Sequence, residues 1–97
     1  MSVVRLIFVT VSPADVPKAE RVWKEDCAPL MIRQKGCVSE ELLKSIDSPG
    51  ELISYAVWDS QKSIDHYLAG ADHQEIKKHA RALKPKQLPI VKSYKLV

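Results

Sequence analysis

The chain lacks most of the features that place a small protein in a class at sight. It has only two cysteines in 97 residues, Cys27 and Cys37, without metal-ligand spacing or a companion pair. That argues against a disulfide scaffold or a zinc site. With no signal peptide in view, it predicts free thiols in a reducing cytoplasm and no bound metal. Cys27 falls on an apolar helical face and Cys37 opens a strand, so both read as small hydrophobes. No apolar run approaches the length that crosses a bilayer, so no membrane association is expected. Formal net charge is only +3, with both signs mixed through most of the chain, whereas nucleic-acid binding requires a concentrated basic stripe. The one basic stretch, Lys77 to Lys86, suits the solvated face and last turn of a helix. Repeats, low-complexity tracts and linkers are missing too.

What is present is ordinary for a globular protein: 45% hydrophobic and 28% charged residues, in a length that makes one domain over residues 1–97. So small a chain gains from burying one more face in a dimer.

Val3 to Val11 is an apolar, β-branched strand whose two alternating faces, Val4/Leu6/Phe8 and Val3/Ile7/Val9, both predict cover. Ser12-Pro13 ends it, and Asp15 is placed to cap a helix with Pro17 in its first turn. Val16, Ala19, Trp23, Cys27, Leu30 and Met31 form one helical face. Pro29 within that pattern predicts a kink or the end of the regular helix, and Gly36 offers a left-handed terminus. A strand over Cys37–Ser45 and a Ser48-Pro49-Gly50 turn lead into a strand over Glu51–Trp58. That strand carries Ile53, Tyr55 and Val57 on one face and Leu52, Ala56 and Trp58 on the other. Asp59-Ser60 caps a helix with Ile64, Tyr67 and Leu68 inward, and Asp72 caps a second piece with Ile76, Ala80 and Leu83 inward. Ile90–Val97 is a final strand.

The order strand, helix, strand, strand, helix, strand is the ferredoxin-like arrangement, an α+β fold. It has a four-stranded antiparallel sheet with both helices on one face. The other face can bind RNA or pair with a second sheet. RNA recognition requires a basic-glycine start and a second stacking aromatic on the third strand. The sequence there is Ile53-Ser54-Tyr55-Ala56-Val57-Trp58, with Val57 where the aromatic belongs, so nucleic acid is not an expected partner. An aliphatic face of this size is not left open on a soluble monomer. Pairing two sheets into a shared barrel covers it and leaves a pocket between sheet and helices in each subunit.

The Pro29…Lys35-Gly36-Cys37 junction, the Ser48-Pro49-Gly50 hairpin, Val57-Trp58-Asp59-Ser60 followed by Ile64 and Leu68, and Asp72-His73 at the helix break span essentially the whole chain. With them the sequence resembles the antibiotic-biosynthesis-monooxygenase-type domains of the dimeric α+β barrel superfamily. The resemblance implies a homodimer with one pocket per subunit. The family holds cofactor-independent oxygenases of phenolic or quinol compounds, haem-degrading enzymes, and members without known activity.

The haem-degrading branch uses an asparagine on the first strand, an inward tryptophan on the second helix and a histidine ligand further along it. This chain has no asparagine, carries Tyr67 at the tryptophan position and places Lys77 where the ligand belongs. His79 lies two residues on, which turns a side chain by about 200° on a helix. Haem degradation is therefore not expected. In the oxygenase branch Trp58 matches, while a pocket tyrosine described there falls at Ile64. Without a flavin motif or metal cluster, no cofactor is expected, and a deprotonated phenol would itself reduce oxygen in a dry pocket.

The candidate site follows. Trp58 is a barrel-end core residue and, compatibly, a pocket wall. Tyr67 is inward, its hydroxyl bonded to a backbone carbonyl or pointing into the pocket. Phe8 and Tyr55 complete the expected substrate contacts. His66 lies opposite Ile64 and reads as exposed. His73 is the first candidate base, since the resemblance places a family histidine at that break, and His79 the second; both also suit a structural role. The expectation is a cofactor-independent monooxygenase of a small aromatic, phenolic or quinol compound, with a non-catalytic small-molecule-binding barrel as the alternative.

Overall fold

The computed structural model describes residues 2–97; Met1 lies outside the described residues. Strand β1 (Val3–Thr10) leads through a 3-10 turn at Pro13–Asp15 into α1 (Val16–Val22), a π-helical turn (Trp23–Cys27) and α2 (Ala28–Ile32). Then come β2 (Cys37–Lys44), β3 (Glu51–Trp58), α3 (Gln61–Leu68), α4 (Ala71–Ala82) and β4 (Ile90–Lys95). The four strands form one sheet in the order β2-β3-β1-β4, antiparallel throughout. This is the ferredoxin-like α+β fold.

Strand alternation sorts the sheet into two faces. Val3 and Arg5 of β1, Val11 just beyond it, and Leu52, Ala56 and Trp58 of β3 are buried on the helix-covered side. Cross-strand pairing places Phe8 beside Ile53 and Leu6 beside Tyr55 on the opposite side. Both faces of β1 were expected to be covered, but Val4, Leu6 and Phe8 are only half-buried, because no helix packs there.

Pro29 acts one turn earlier than a simple kink. Proline has no N–H to close the bond four residues back. The helix accommodates this by widening: the Ala28 N–H bonds the Trp23 carbonyl, five residues earlier, and Pro29 falls in the first turn of α2. Such π-turns recur at functional sites. Here the turn carries Trp23 and Cys27 over the sheet.

Two expected caps take other forms. Asp15 makes no capping hydrogen bond; Pro13–Asp15 winds as a 3-10 turn instead. Gly70 caps α4, and Asp72 lies in its first turn. Its carboxylate accepts hydrogen bonds from Arg33 Nη2 at 2.8 Å and Gln34 Nε2 at 2.6 Å, tying α4 to the end of α2. At α3, Ser60 Oγ does accept from the Ser63 N–H, at 3.2 Å, the bond expected of an N-cap.

Gly36 has φ +90°, and a Cβ there would overlap the side chains of Ser63 and Asp59. Its carbonyl accepts from the Asp59 N–H at 2.8 Å. The glycine thus seals the start of β2 against the end of β3. Beside this seal lies the larger core cluster of Val3, Met31, Ala56, Trp58, Ile64 and Tyr67; a second, around Val11, Ala19 and Leu52, lies at the other end of the sheet.

Candidate functional site

Between the sheet and the helices lies a cavity of about 350 Å³. Its floor is Ile7 and Val9 of β1, with Leu42, Leu52 and Ser54 of β2 and β3. Trp23, Cys27 and Met31 form one wall, and Ile76, Ala80 and Leu83 of α4 the other. The lining is almost wholly apolar. The residues with polar side chains among the lining are Ser54, Trp23 and Tyr67, with Lys77 and Arg81 of α4.

The expected site residues divide around this cavity. Tyr67 lines it. Trp58 is fully buried and stacks at a tilt on Tyr67, ring centroids 5.3 Å apart. It is a core residue one ring behind the wall, and its indole Nε1–H has no hydrogen-bond partner among the described residues. Phe8 and Tyr55 were expected at the substrate, but they stand on the other side of the sheet. Period-two alternation turns them away from this cavity. Phe8 is covered there by Lys92, whose Nζ lies 5.6 Å from the ring centroid.

His73 packs edge-on against Tyr67, centroids 5.1 Å apart, with Nδ1 3.2 Å from the Leu68 carbonyl. The carbonyl can only accept, so Nδ1 carries a proton and donates it there. Burial lowers its pKa from the ordinary histidine value. His79 sits between Glu75, 3.2 Å from Nε2, and Asp26, 3.8 Å from Nδ1. Neither histidine belongs to the cavity lining. His66 is exposed. Lys77, at the position where a haem ligand would be required, does line the cavity.

The sequence reading missed a polar cluster behind the cavity floor. Glu40 points to the helix-covered face and accepts from Ser54 Oγ at 2.6 Å and Trp23 Nε1 at 3.3 Å, both on Oε1. Its other oxygen, Oε2, is buried without a partner among the described residues. Burial raises this carboxyl to about 7, with the bonds from Ser54 and Trp23 and the charge of Arg5 opposing. Arg5, only 8% exposed, lies in the same cross-strand row: Arg5 pairs with Ala56, and Ala56 with Glu40. The small side chain of Ala56 leaves room above it for both charged groups. Burial also pushes the Cys27 and Cys37 thiols up to about 11, and raises the Tyr67 phenol further above its usual value. Both thiols are free.

Glu40 was hidden by a β-bulge. Cys37 pairs with Trp58 and Ser39 with Val57, so Val38 is the extra residue and the parity of β2 reverses after it. The one available signal was Arg5, a charge inside an apolar strand that needs a buried counter-charge.

Among the described residues no group of three or more His, Cys, Asp or Glu side chains is placed to hold a metal ion. None of their helices is long and apolar enough to cross a membrane.

The chain is similar in structure to several solved proteins. One from Bordetella bronchiseptica, described as an antibiotic biosynthesis monooxygenase, superposes with TM-score 0.88 at 22% identity, over 99% of this chain and 97% of that one. SnoaB from Streptomyces nogalater, a cofactor-independent oxygenase solved as a variant, superposes with TM-score 0.76 at 24% identity, over 98% and 92%. Rv0793 from Mycobacterium tuberculosis gives 0.81 at 16% identity, over 100% and 96%. No curated protein matches the sequence. The family model for antibiotic biosynthesis monooxygenase matches residues 2–79, most of the chain. The chain belongs to the antibiotic biosynthesis monooxygenase family.

Proposed function

We propose that this chain is a cofactor-independent monooxygenase acting on a small aromatic phenol or quinol held in the cavity between its sheet and helices. The observation that carries this reading is the cavity itself. Its volume of about 350 Å³ is in the range of small-molecule sites, and its apolar lining with a few inward polar groups suits an aromatic ring bearing hydroxyls. SnoaB, similar in fold, is a cofactor-independent oxygenase, which favours the same class of chemistry here.

The chemistry balances without a further reactant. A phenol with a free ring C–H para to its hydroxyl loses the phenolic proton, and the electron-rich ring gives electrons to dioxygen. A carbon–oxygen bond forms at the para carbon. The O–O bond then breaks, one oxygen staying as the new quinone carbonyl and the other leaving as water with the two hydrogens lost from the substrate. The protein contributes orientation, a proton acceptor and exclusion of water, which keeps electrostatic interactions strong.

The same reading places one 1–97 domain in each subunit of a homodimer in the cytoplasm. Leu43, Ile90 and Tyr94 are about half exposed, and with Leu6, Phe8, Ile53 and Tyr55 they make an open apolar face suited to a second sheet. In this arrangement Phe8 and Tyr55 serve the interface.

The test is turnover of a panel of naphthols and dihydroxynaphthalenes in air, followed by quinone absorbance. The reading expects at least one to be oxidised well above the protein-free rate. Saturable binding across the panel with no product would instead make the chain a non-catalytic ligand-binding barrel.

A further inference from the structure

Resting on the reading above, one question is which group receives the phenolic proton inside a water-poor cavity. Neither histidine reaches the lining, and His73 has Nδ1 engaged by the Leu68 carbonyl. Glu40 is different. Ser54 lines the cavity and its hydroxyl lies 2.6 Å from Glu40 Oε1, so the carboxylate is one hydroxyl away from any ligand resting on that floor. Trp23, also on the lining, holds the same oxygen from the other side. Oε2, without a partner among the described residues, leaves the carboxylate short of the hydrogen bonds that normally stabilise its charge.

We infer that Glu40 is the proton acceptor for a phenolic hydroxyl bound in the cavity, with Ser54 as the relay between them. The substrate O–H passes its proton to Ser54 Oγ while Ser54 passes its own to Glu40 Oε1. Serine ends neutral, the carboxyl ends as the acid, and the ligand ends as phenolate. Negative charge moves from Glu40 to the ligand without changing the net charge of the interior, and Arg5 keeps its positive charge in the same cross-strand row, across Ala56 from Glu40. The titratable groups around Glu40 are Arg5 from β1, Tyr67 from α3, Cys27 from the π-turn and Cys37 from its own strand. Burial that holds the carboxyl at about 7 matches it to this exchange at neutral pH, where a general base is most effective.

The experiment is the pH profile of kcat/KM for a naphthol that the wild-type protein oxidises, with naphthol binding measured separately by calorimetry. Wild-type turnover should fall as pH drops below about 7, where the Glu40 carboxyl takes up its own proton. Glu40→Gln keeps an acceptor for Ser54 and Trp23 and should still bind the naphthol, while losing at least about tenfold in kcat/KM at neutral pH together with that acid limb. Ser54→Ala, which leaves the carboxyl in place, should lose turnover as well, and His73→Ala should keep both turnover and the acid limb. Unchanged turnover and an unchanged acid limb in Glu40→Gln overturn the assignment of Glu40 while leaving the cavity as the binding site. Binding without turnover of any naphthol overturns the oxygenase reading, and the relay with it; no binding to wild type at saturation overturns the cavity reading itself.

Discussion

Arg5 and Glu40 face each other across Ala56 in one row of the sheet, beneath the helices, and no ion pair closes between them among the described residues. Two charges buried at this spacing, without the short contact that would offset their desolvation, are costly to the fold. The cost is greatest when Glu40 is ionised. Its folded pKa of about 7 exceeds the ordinary carboxyl value of about 4.3 that the unfolded chain retains. Between those values the native state binds more protons than the unfolded state, so stability is full at the acid end and falls as pH rises through the folded pKa. Urea unfolding at about pH 5 and about pH 8 should show a loss on the order of 2 kcal/mol that Glu40→Gln abolishes. A wild-type slope equal to that of the variant contradicts it.

Gly36 offers a test of the seal between β2 and β3. Alanine there meets a left-handed backbone and the side chains of Ser63 and Asp59 at once. Gly36→Ala should lower stability by more than about 2 kcal/mol in denaturant unfolding. A loss below about 0.5 kcal/mol, the level of an ordinary surface substitution, would mean the junction relaxes freely.

The open sheet face carries the dimer proposal. Light scattering should give about twice the 10.9 kDa chain mass. Tyr55→Lys, on that face and away from the cavity, should weaken association by at least about 100-fold, as loss of an aromatic anchor does at an interface centre, while leaving the circular dichroism spectrum unchanged. A wild-type mass equal to one chain rules the dimer out.

Much of the fold was legible because its signals are local. The apolar spacing from Val16 to Met31 marked the helical face, Gly36 marked a left-handed position, and Ser60 marked a cap, each a consequence of nearby backbone geometry. Site residues depended on information that is not local. The bulge at Val38 reverses the facing of every later residue of β2, and without it Glu40 reads as a solvent-facing acid. Trp58 marks the fold correctly, yet its distance from the cavity depends on how Tyr67 packs over it. The alternation of β1 and β3 did separate Phe8 and Tyr55 from Trp58. Choosing the cavity side, however, required knowing where the helices lie.

In the proposed reaction the polypeptide alone directs oxygen into a phenol. The most direct measurement is the isotopic composition of the quinone formed under heavy dioxygen by protein refolded from denaturant into chelator-containing buffer, with oxygen uptake recorded alongside. Cofactor-independent monooxygenation predicts one heavy oxygen atom per quinone and one dioxygen consumed per substrate. A quinone without the label, or activity lost on refolding and restored only by an added metal, haem or flavin, would contradict it.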